Sequence, residues 1–254
     1  MNISALDFNI LAPAFLAGLL VLATHVPLGM QVLKRGIVFI DLAIAQIAGL
    51  GVIAADYAGF EPQGWAVQLA AVSAALLGAL LLTWSERRRP EVQEALIGVL
   101  FVLAATGGIL LLADNPHGGE HLKDLLVGQI LWVSFAQLIP VAVLTALICA
   151  LWFAGEKKLG RTGFYVLFAL AVTASVQLVG IYLVFASLIV PALATHGYAG
   201  RRLVAGYILG AAGYALGLAA SAVLDLPSGA VIVWTLTVLG IVWQVLCGAK
   251  PPGA

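Results

Sequence analysis

The residues with the clearest potential for chemistry lie in one short polar segment, residues 114–126. Within it, eight consecutive positions hold two histidines, a glutamate and an aspartate: His117, Glu120, His121 and Asp124. Imidazole nitrogens and carboxylate oxygens are ligands that proteins offer to divalent transition metals. The segment therefore predicts a place that attracts or binds a dication, and a solvated loop without metal is the alternative.

Residues 117–121 of this segment also match the H-x-x-E-H pattern of one class of zinc proteases. That pattern needs a helix, so that both histidines lie on one face. Gly118 and Gly119 would each cost about 1 kcal/mol inside a helix, and Pro116 precedes them, so we expect a loop here. A third ligand is not evident either. The segment therefore argues against a protease, although a membrane-embedded metalloenzyme stays open as an alternative.

Three more polar residues stand inside long apolar runs, where polar side chains are costly and are by default candidates for function. Asp41 is the only acidic residue well inside such a run, and Gln46 follows five positions later. His25 lies two residues before Pro27, a proline that frees backbone carbonyl groups and suits a helix lining a cavity. We predict that Asp41, Gln46 and His25 line a hydrophilic path. Hydrogen bonding that only joins helices is the alternative.

The composition places these residues in a membrane. Hydrophobic residues make up 63% of the 254 residues and charged residues 9%, whereas a soluble domain carries about 25% charged residues. The net charge of zero excludes the basic footprint of a nucleic-acid-binding protein. Cys149 and Cys247 are far apart in apolar runs and predict neither a disulfide framework nor a thiolate site.

Long apolar runs predict the fold class. A helix needs about 20 apolar residues to cross the hydrocarbon core, so we predict an all-α polytopic membrane protein, a single domain over residues 1–254 with eight or nine spans. The charge-free stretch 162–200 is flanked by basic residues and requires a hairpin, which we place near Gly180. Pro191 then kinks or ends the second arm. The predicted spans cover residues 10–33, 37–58, 64–84, 92–113, 127–154, 162–179, 180–199, 203–223 and 229–247.

Lysine and arginine favour the cytoplasmic side of a membrane, so their distribution predicts the orientation. With nine spans and an outside N-terminus, the basic clusters and the C-terminus fall in the cytoplasm, and only Lys123 lies outside. The chain is therefore expected in the cytoplasmic (inner) membrane of a bacterium, with the 114–126 segment facing outward. The clusters are Lys34/Arg35, Arg87/Arg88/Arg89, Lys157/Lys158/Arg161, Arg201/Arg202 and Lys250.

The chain has no phosphate-binding G-x-x-x-x-G-K-[ST] motif and no polar stretch long enough for an ATPase domain. We therefore expect a transport protein rather than an enzyme, with any ATP hydrolysis in a separate chain. The charged loop 86–91 and the segment 191–202 are the expected docking surfaces for that chain.

Three segments resemble the permease subunits of zinc and manganese ABC importers. Residues 33–51, LKRGIVFIDLAIAQIAGLG, resemble the family's arginine-rich entry, its aspartate and its closing glycine. Residues 179–195, VGIYLVFASLIVPALAT, resemble its Val-Gly, apolar run and Pro-Ala signature, and residues 226–233, LPSGAVIV, its turn before the last helix. Ala45 stands where the family has a histidine, with Gln46 beside it. Either His25 substitutes for that histidine, or Asp41 is a structural gate residue.

The resemblance implies the fold of the vitamin B12 importer permeases (type II importers), a homodimer, a cytoplasmic ATP-binding-cassette ATPase and an extracytoplasmic metal-binding protein. We expect import of a divalent transition metal ion, zinc first and manganese next, with no permanently bound cofactor and with ATP used by the partner. The alternatives are a same-fold importer of a metal chelate, such as a siderophore or cobalamin, and a stand-alone secondary transporter. The resemblance also implies that the segment 191–202 couples the permease to the ATPase through Pro191, Ala192, Thr195, His196, Arg201 and Arg202.

Overall fold

The computed structural model describes residues 8–61, 64–198 and 201–247, apart from the side chains of residues 156–158. All regular structure in these ranges is helical, which confirms the all-α prediction. Lys250, residues 199–200 and the side chains of Lys157 and Lys158 lie outside the described part. The α-helices are α1 (Phe8–Arg35), α2 (Ile40–Tyr57), α3 (Trp65–Arg88), α4 (Gln93–Leu111), α5 (Gly118–Val127), α6 (Phe135–Val179), α7 (Ile181–Ala194), α8 (Arg202–Leu224) and α9 (Ser228–Cys247), with short 3-10 turns at Pro90–Val92 and Ile130–Trp132.

Within the described ranges, eight helical segments are long and apolar enough to cross a membrane, in agreement with the predicted eight or nine. The helix α6 supplies two of them, Phe135–Gly155 and Leu159–Val179, because its backbone kinks at Gly160, where φ is 59° and ψ is −165°. The helix α7 has only 14 residues and is about 21 Å long, less than the hydrocarbon core of about 30 Å. The span predicted over residues 180–199 is therefore a shorter helix that ends at Ala194.

Arginine side chains from several helices collect at one end of the bundle, which is called the basic end below. The Arg35 guanidinium lies 4.2 Å from the centre of the Phe164 ring, and Arg87 donates a hydrogen bond to Thr162 Oγ1 at 2.9 Å. These contacts place the C-terminal ends of α1 and α3 beside the residues that follow the α6 kink. Lys123 lies in α5, at the opposite end of the bundle. This separation of basic residues is the pattern from which the orientation was predicted.

The predicted hairpin at Gly180 is present. Gly180 joins α6 to α7 with φ 79° and ψ 164°. It packs against Gly128 at the opposite end, so closely that a Cβ on Gly128 would collide with the Val179 carbonyl group. The helix α7 then returns to the basic end, where Gln244 Nε2 donates to the Leu193 carbonyl oxygen at 3.1 Å. Glycine fits at this crossing because it tolerates positive φ and has no side chain.

The helices form two groups that meet at α6 and α7. In one group, α1 packs against α6, α7 and α8, and α8 packs against α9. In the other, α2 packs against α3 and α4 and also contacts α6 and α7. The largest fully buried side chains of the described residues include Phe164, Tyr165 and Phe168 of α6 and Tyr214 of α8. The first two spans therefore pack against shared neighbours rather than against each other.

The helix α1 is supported where a proline weakens it. Pro27 has no N–H, so the carbonyl group of Ala23 loses its partner within the helix. The Tyr207 hydroxyl of α8 donates to that carbonyl oxygen at 3.0 Å, and the Cys149 thiol of α6 lies 3.6 Å from it. Three helices therefore meet at this point, and side chains of the two neighbouring helices replace the missing backbone hydrogen bond.

Candidate functional site

The strongest candidate for function is Asp41, the second residue of α2, near the basic end. Its side chain is 0% exposed, and neither Oδ atom has a hydrogen-bond partner in the part of the chain that the structure describes. Burying a charged carboxylate without compensation costs on the order of several kcal/mol. Both oxygens therefore have unused capacity to accept a hydrogen bond or to bind a cation.

A second carboxylate, Glu94 in the first turn of α4, lies near the start of α2. Its Oε1 accepts a hydrogen bond from the amide of Phe39 at 3.3 Å, two residues before Asp41. Its buried Oε2 has no partner among the described residues. Glu94 could not be predicted as a site residue from the sequence, because a glutamate near the edge of a predicted span indicates only a membrane interface. Its position follows from the packing of α4 against α2.

His25 in α1 is also fully buried. Its Nδ1 is 2.9 Å from the Val21 carbonyl oxygen and 3.0 Å from Thr24 Oγ1, while Nε2 has no partner within the described ranges. When Nδ1 carries the proton and donates to Val21, the lone pair of Nε2 is free. Metal-binding histidines use this arrangement, since the bonded nitrogen fixes the orientation of the ring.

The structure does not bring His25 to Asp41. His25 lies ten residues before the end of α1, which corresponds to a rise of about 15 Å. Asp41 lies one residue after the start of α2. Because α1 and α2 pack against α6 and α7 rather than against each other, the two side chains belong to different depths and different helix interfaces.

Gln46 does not share the face of α2 that carries Asp41. Five residues of an α-helix correspond to a rotation of about 140° beyond one full turn. Ala45, at four residues from Asp41, lies on the same face and is fully buried. Gln46 is half-buried and points to another side of the helix. A glutamine at position 46 is therefore not a geometric substitute for a histidine at position 45.

The expectation of a loop at Gly118 and Gly119 is wrong, since both belong to the helix α5. They are its first two residues, where the backbone amides have no partner within the helix, so the cost of glycine in a helix interior does not apply in full. Gly118 is also required by packing: a Cβ there would lie 2.7 Å from the Leu112 carbonyl oxygen. The amide of His117 is held by Asn115 Oδ1 at 2.9 Å.

The predicted ligands of the 114–126 segment form pairs rather than one cluster. His117 Nδ1 lies 3.4 Å from Glu120 Oε2, and His121 Nδ1 lies 3.8 Å from Asp56 Oδ2 at the end of α2. Asp124 is exposed on α5. In the described part of the chain, no three His, Cys, Asp or Glu side chains gather as a metal site requires. The segment therefore offers exposed, separate ligands. The proximity of Asp56 to His121 was not predicted, because Asp56 lies far from the segment in sequence.

The predicted coupling segment lies at the basic end. Pro191 is inside α7, which ends at Ala194, and Thr195 Oγ1 donates to the Pro191 carbonyl oxygen at 2.8 Å. The Arg202 guanidinium reaches back to the Ala192 carbonyl oxygen at 3.5 Å. His196 follows in an exposed turn. The structure thus brings the end of α7 and the start of α8 together. Arg201, the residue before α8, is exposed.

A sequence model of the ABC 3 transport family matches residues 7–164 and 156–246. The chain belongs to this family. Among its relatives is the "Probable iron transport system membrane protein" of Haemophilus influenzae, which is 27% identical over 197 residues, covering 68% of this chain and 69% of that protein. Family membership implies a separate ATPase chain and a substrate-binding protein as partners.

Two solved structures share the fold. PsaBC from Streptococcus pneumoniae, solved in complex with Fab, gives a TM-score of 0.74 at 22% identity and covers 94% of this chain and 91% of that one. A transporter assigned to the metal-chelate type of ABC transporters, in an inward-facing conformation, gives a TM-score of 0.65 at 18% identity and covers 92% of this chain and 84% of that one. The likeness confirms the permease fold that the sequence predicts.

Proposed function

We propose that this chain is the permease of an ATP-binding-cassette importer that moves a divalent transition metal ion, zinc first and manganese next, into the cytoplasm. Asp41 is the observation on which the proposal depends. It is a fully buried carboxyl group on a membrane helix, and both oxygens lack a partner among the described residues. Ionisable groups inside a membrane bundle are costly and by default mark substrate or ion pathways.

The chemistry of the carboxylate favours a metal ion as the substrate. Carboxylate oxygens replace the water ligands of a dication and compensate its charge in a low-dielectric interior. Glu94, whose Oε2 is buried and unpaired in the described part, adds a second negative charge near the start of α2. His25, with a free Nε2, adds a nitrogen ligand at another depth of the bundle.

The proposed route crosses the bundle from end to end. A metal-binding protein releases the ion near His117, Glu120, His121 and Asp124, where exposed imidazole and carboxylate groups attract it. The ion then passes along the interface of two copies of the permease and reaches Asp41, whose side chain is buried inside one copy. ATP binding and hydrolysis in the partner move the end of α7 and the start of α8, which alternates access between the two sides.

A metal chelate is the second candidate substrate, supported by the structural likeness to the metal-chelate type transporter. A siderophore or cobalamin needs a wide and mostly uncharged cavity. Its transport would therefore depend little on a buried carboxylate. The effect of neutralising Asp41 separates the two substrates.

The proposal is tested by uptake of radioactive zinc into liposomes that contain this chain, its ATPase and its binding protein. We expect uptake that requires ATP and all three components, and that excess manganese reduces. Omission of the ATPase is the matched control and should abolish uptake. Without uptake of either ion, in vesicles that hydrolyse ATP, the metal-ion proposal would fail in favour of a chelate. Uptake without the ATPase would indicate a secondary transporter.

A further inference from the structure

A cavity at the basic end carries the positive charge of Lys34 at the end of α1 and of Arg202 in the coupling segment. Its volume is about 370 Å³, and it lies between α1, the first half of α6, the turn after α7 and the start of α8. Its polar wall comprises Gln31, Lys34, His196 and Arg202, and its apolar wall includes Trp152 and Phe153. No acidic side chain lines it in the described part of the chain. Lys34 and Arg202 therefore face the cavity without a described acidic side chain to balance their charge.

Lys34 and Arg202 each have a charged group that could bind an anion. The Nη2 atom of Arg202 donates a long hydrogen bond of 3.5 Å to the Ala192 carbonyl oxygen, while its buried Nε has no partner among the described residues. Lys34 forms no ion pair with a described acidic side chain. An arginine fork binds phosphate oxygens in a planar, bidentate manner, and a lysine adds a mobile point charge. The donor set is that of a phosphate site.

The apolar surface beside the cavity indicates where such a phosphate comes from. Phe153 lines the cavity and is 58% exposed. Ile139, Ala146 and Ala150 are exposed on the same helix and lie within about 60° of Phe153 around the helix axis. They form an apolar face that leads away from the cavity along the membrane-spanning part of α6. A charged cavity that continues into an apolar face matches a lipid, with its headgroup at one end and its acyl chains along the helix.

We propose that this cavity binds the phosphate of an anionic phospholipid, such as phosphatidylglycerol, and that the acyl chains lie along the exposed face of α6. Lys34 and Arg202 contact the phosphate, while His196 and Gln31 lie beside it. Basic pockets between membrane helices select anionic headgroups in this way. The site lies next to the turn that follows α7, so the bound lipid would hold the end of α1 against the start of α8.

Native mass spectrometry of the purified full chain tests the proposal with added phosphatidylglycerol, and with phosphatidylcholine as a neutral lipid for comparison. The double variant Lys34→Gln/Arg202→Gln should bind phosphatidylglycerol at least about tenfold more weakly, since it removes both cations that face the headgroup. The matched control, Arg88→Gln/Arg89→Gln, removes two exposed cations at the same end, outside the cavity. It should bind as the unchanged chain does.

Equal binding in both double variants would overturn the proposal, because the attraction would then be general electrostatics. Displacement of the lipid by millimolar inorganic phosphate would also overturn it and assign the cavity to free phosphate. Displacement by the ATPase chain would assign the surface to that protein. A photoactivatable phosphatidylglycerol, cross-linked to the unchanged chain, decides the matter even if the variants misfold. Labelling at Trp152 or Phe153 supports the site, and labelling only elsewhere contradicts it.

Discussion

At the scale of single residues, the proposed metal path depends on Asp41, whose buried carboxyl oxygens have no hydrogen-bond partner among the described residues. Asp41 was predictable, because an acidic residue inside an apolar run has few structural uses. Glu94 and Asp56 were not, since each lies at an end of a predicted span and acquires its place only when α2 packs against other elements. Gln46 was grouped with Asp41 because both are polar, whereas the helix turns them to different sides.

Tyr207 provides a residue-scale prediction. Tyr207→Phe removes the donor to the Ala23 carbonyl oxygen, which Pro27 leaves without a partner in the helix. The free energy of unfolding should fall by about 1 kcal/mol, the usual contribution of one such hydrogen bond. An SDS titration followed by circular dichroism measures the change. Tyr182→Phe is the control, because Tyr182 is 52% exposed. An equal loss in both variants would contradict the role of Tyr207.

At the scale of elements, the lengths of the apolar runs predicted the spanning helices correctly. The glycines at the start of α5 led to the wrong prediction of a loop. Most of the spans follow from runs of about 20 apolar residues. The helix α5 was missed because the cost of glycine was applied to positions that are the start of a helix. The helix α7 was predicted too long, since hydropathy cannot show where the turn after Ala194 begins. Helix termini also depend on local packing, such as the close approach of Gly118 to the Leu112 carbonyl group.

The crossing of Gly128 and Gly180 gives an element-scale prediction. Gly128 has φ 72° and ψ 172°, a region that only glycine occupies readily, and a side chain there would meet the Val179 carbonyl group. Gly128→Ala should therefore lower the free energy of unfolding by about 1–3 kcal/mol. The SDS titration again measures it.

Gly98→Ala is the control for that variant. Gly98 lies within α4, and a Cβ there would have nothing within 4 Å. Alanine is the better helix former by about 0.5–1 kcal/mol, so this variant should be neutral or more stable. If Gly128→Ala were as stable as Gly98→Ala, the glycine crossing would not be a constraint on the fold.

At the scale of the whole molecule, the helices place basic side chains at one end and the α5 segment at the other. The sequence predicted this separation because positive charge is distributed asymmetrically around membrane spans. The sequence could not predict which helices pack together. In the structure α1 and α2 share α6 and α7 as neighbours, whereas an apolar helix face alone does not specify which helix it contacts.

The predicted orientation leads to a labelling experiment in intact cells. In a chain whose Cys149 and Cys247 are replaced by alanine, Lys123→Cys should react with a membrane-impermeant maleimide added outside. Arg88→Cys, which is exposed at the basic end, should react only after the membrane is permeabilised. The reverse pattern would place the basic end outside and would contradict the predicted direction of coupling.

The most direct test of the proposed metal path is Asp41→Asn in ATP-driven zinc uptake into liposomes. Asparagine keeps the shape of the side chain and removes the charge. Asp225→Asn is the matched control, because Asp225 is exposed and left-handed, with φ 53°, a conformation that asparagine also adopts. Uptake by Asp41→Asn should fall by about tenfold or more, a loss of about 1.4 kcal/mol, while Asp225→Asn keeps the original rate. Unchanged uptake in Asp41→Asn would contradict a metal path through this carboxylate.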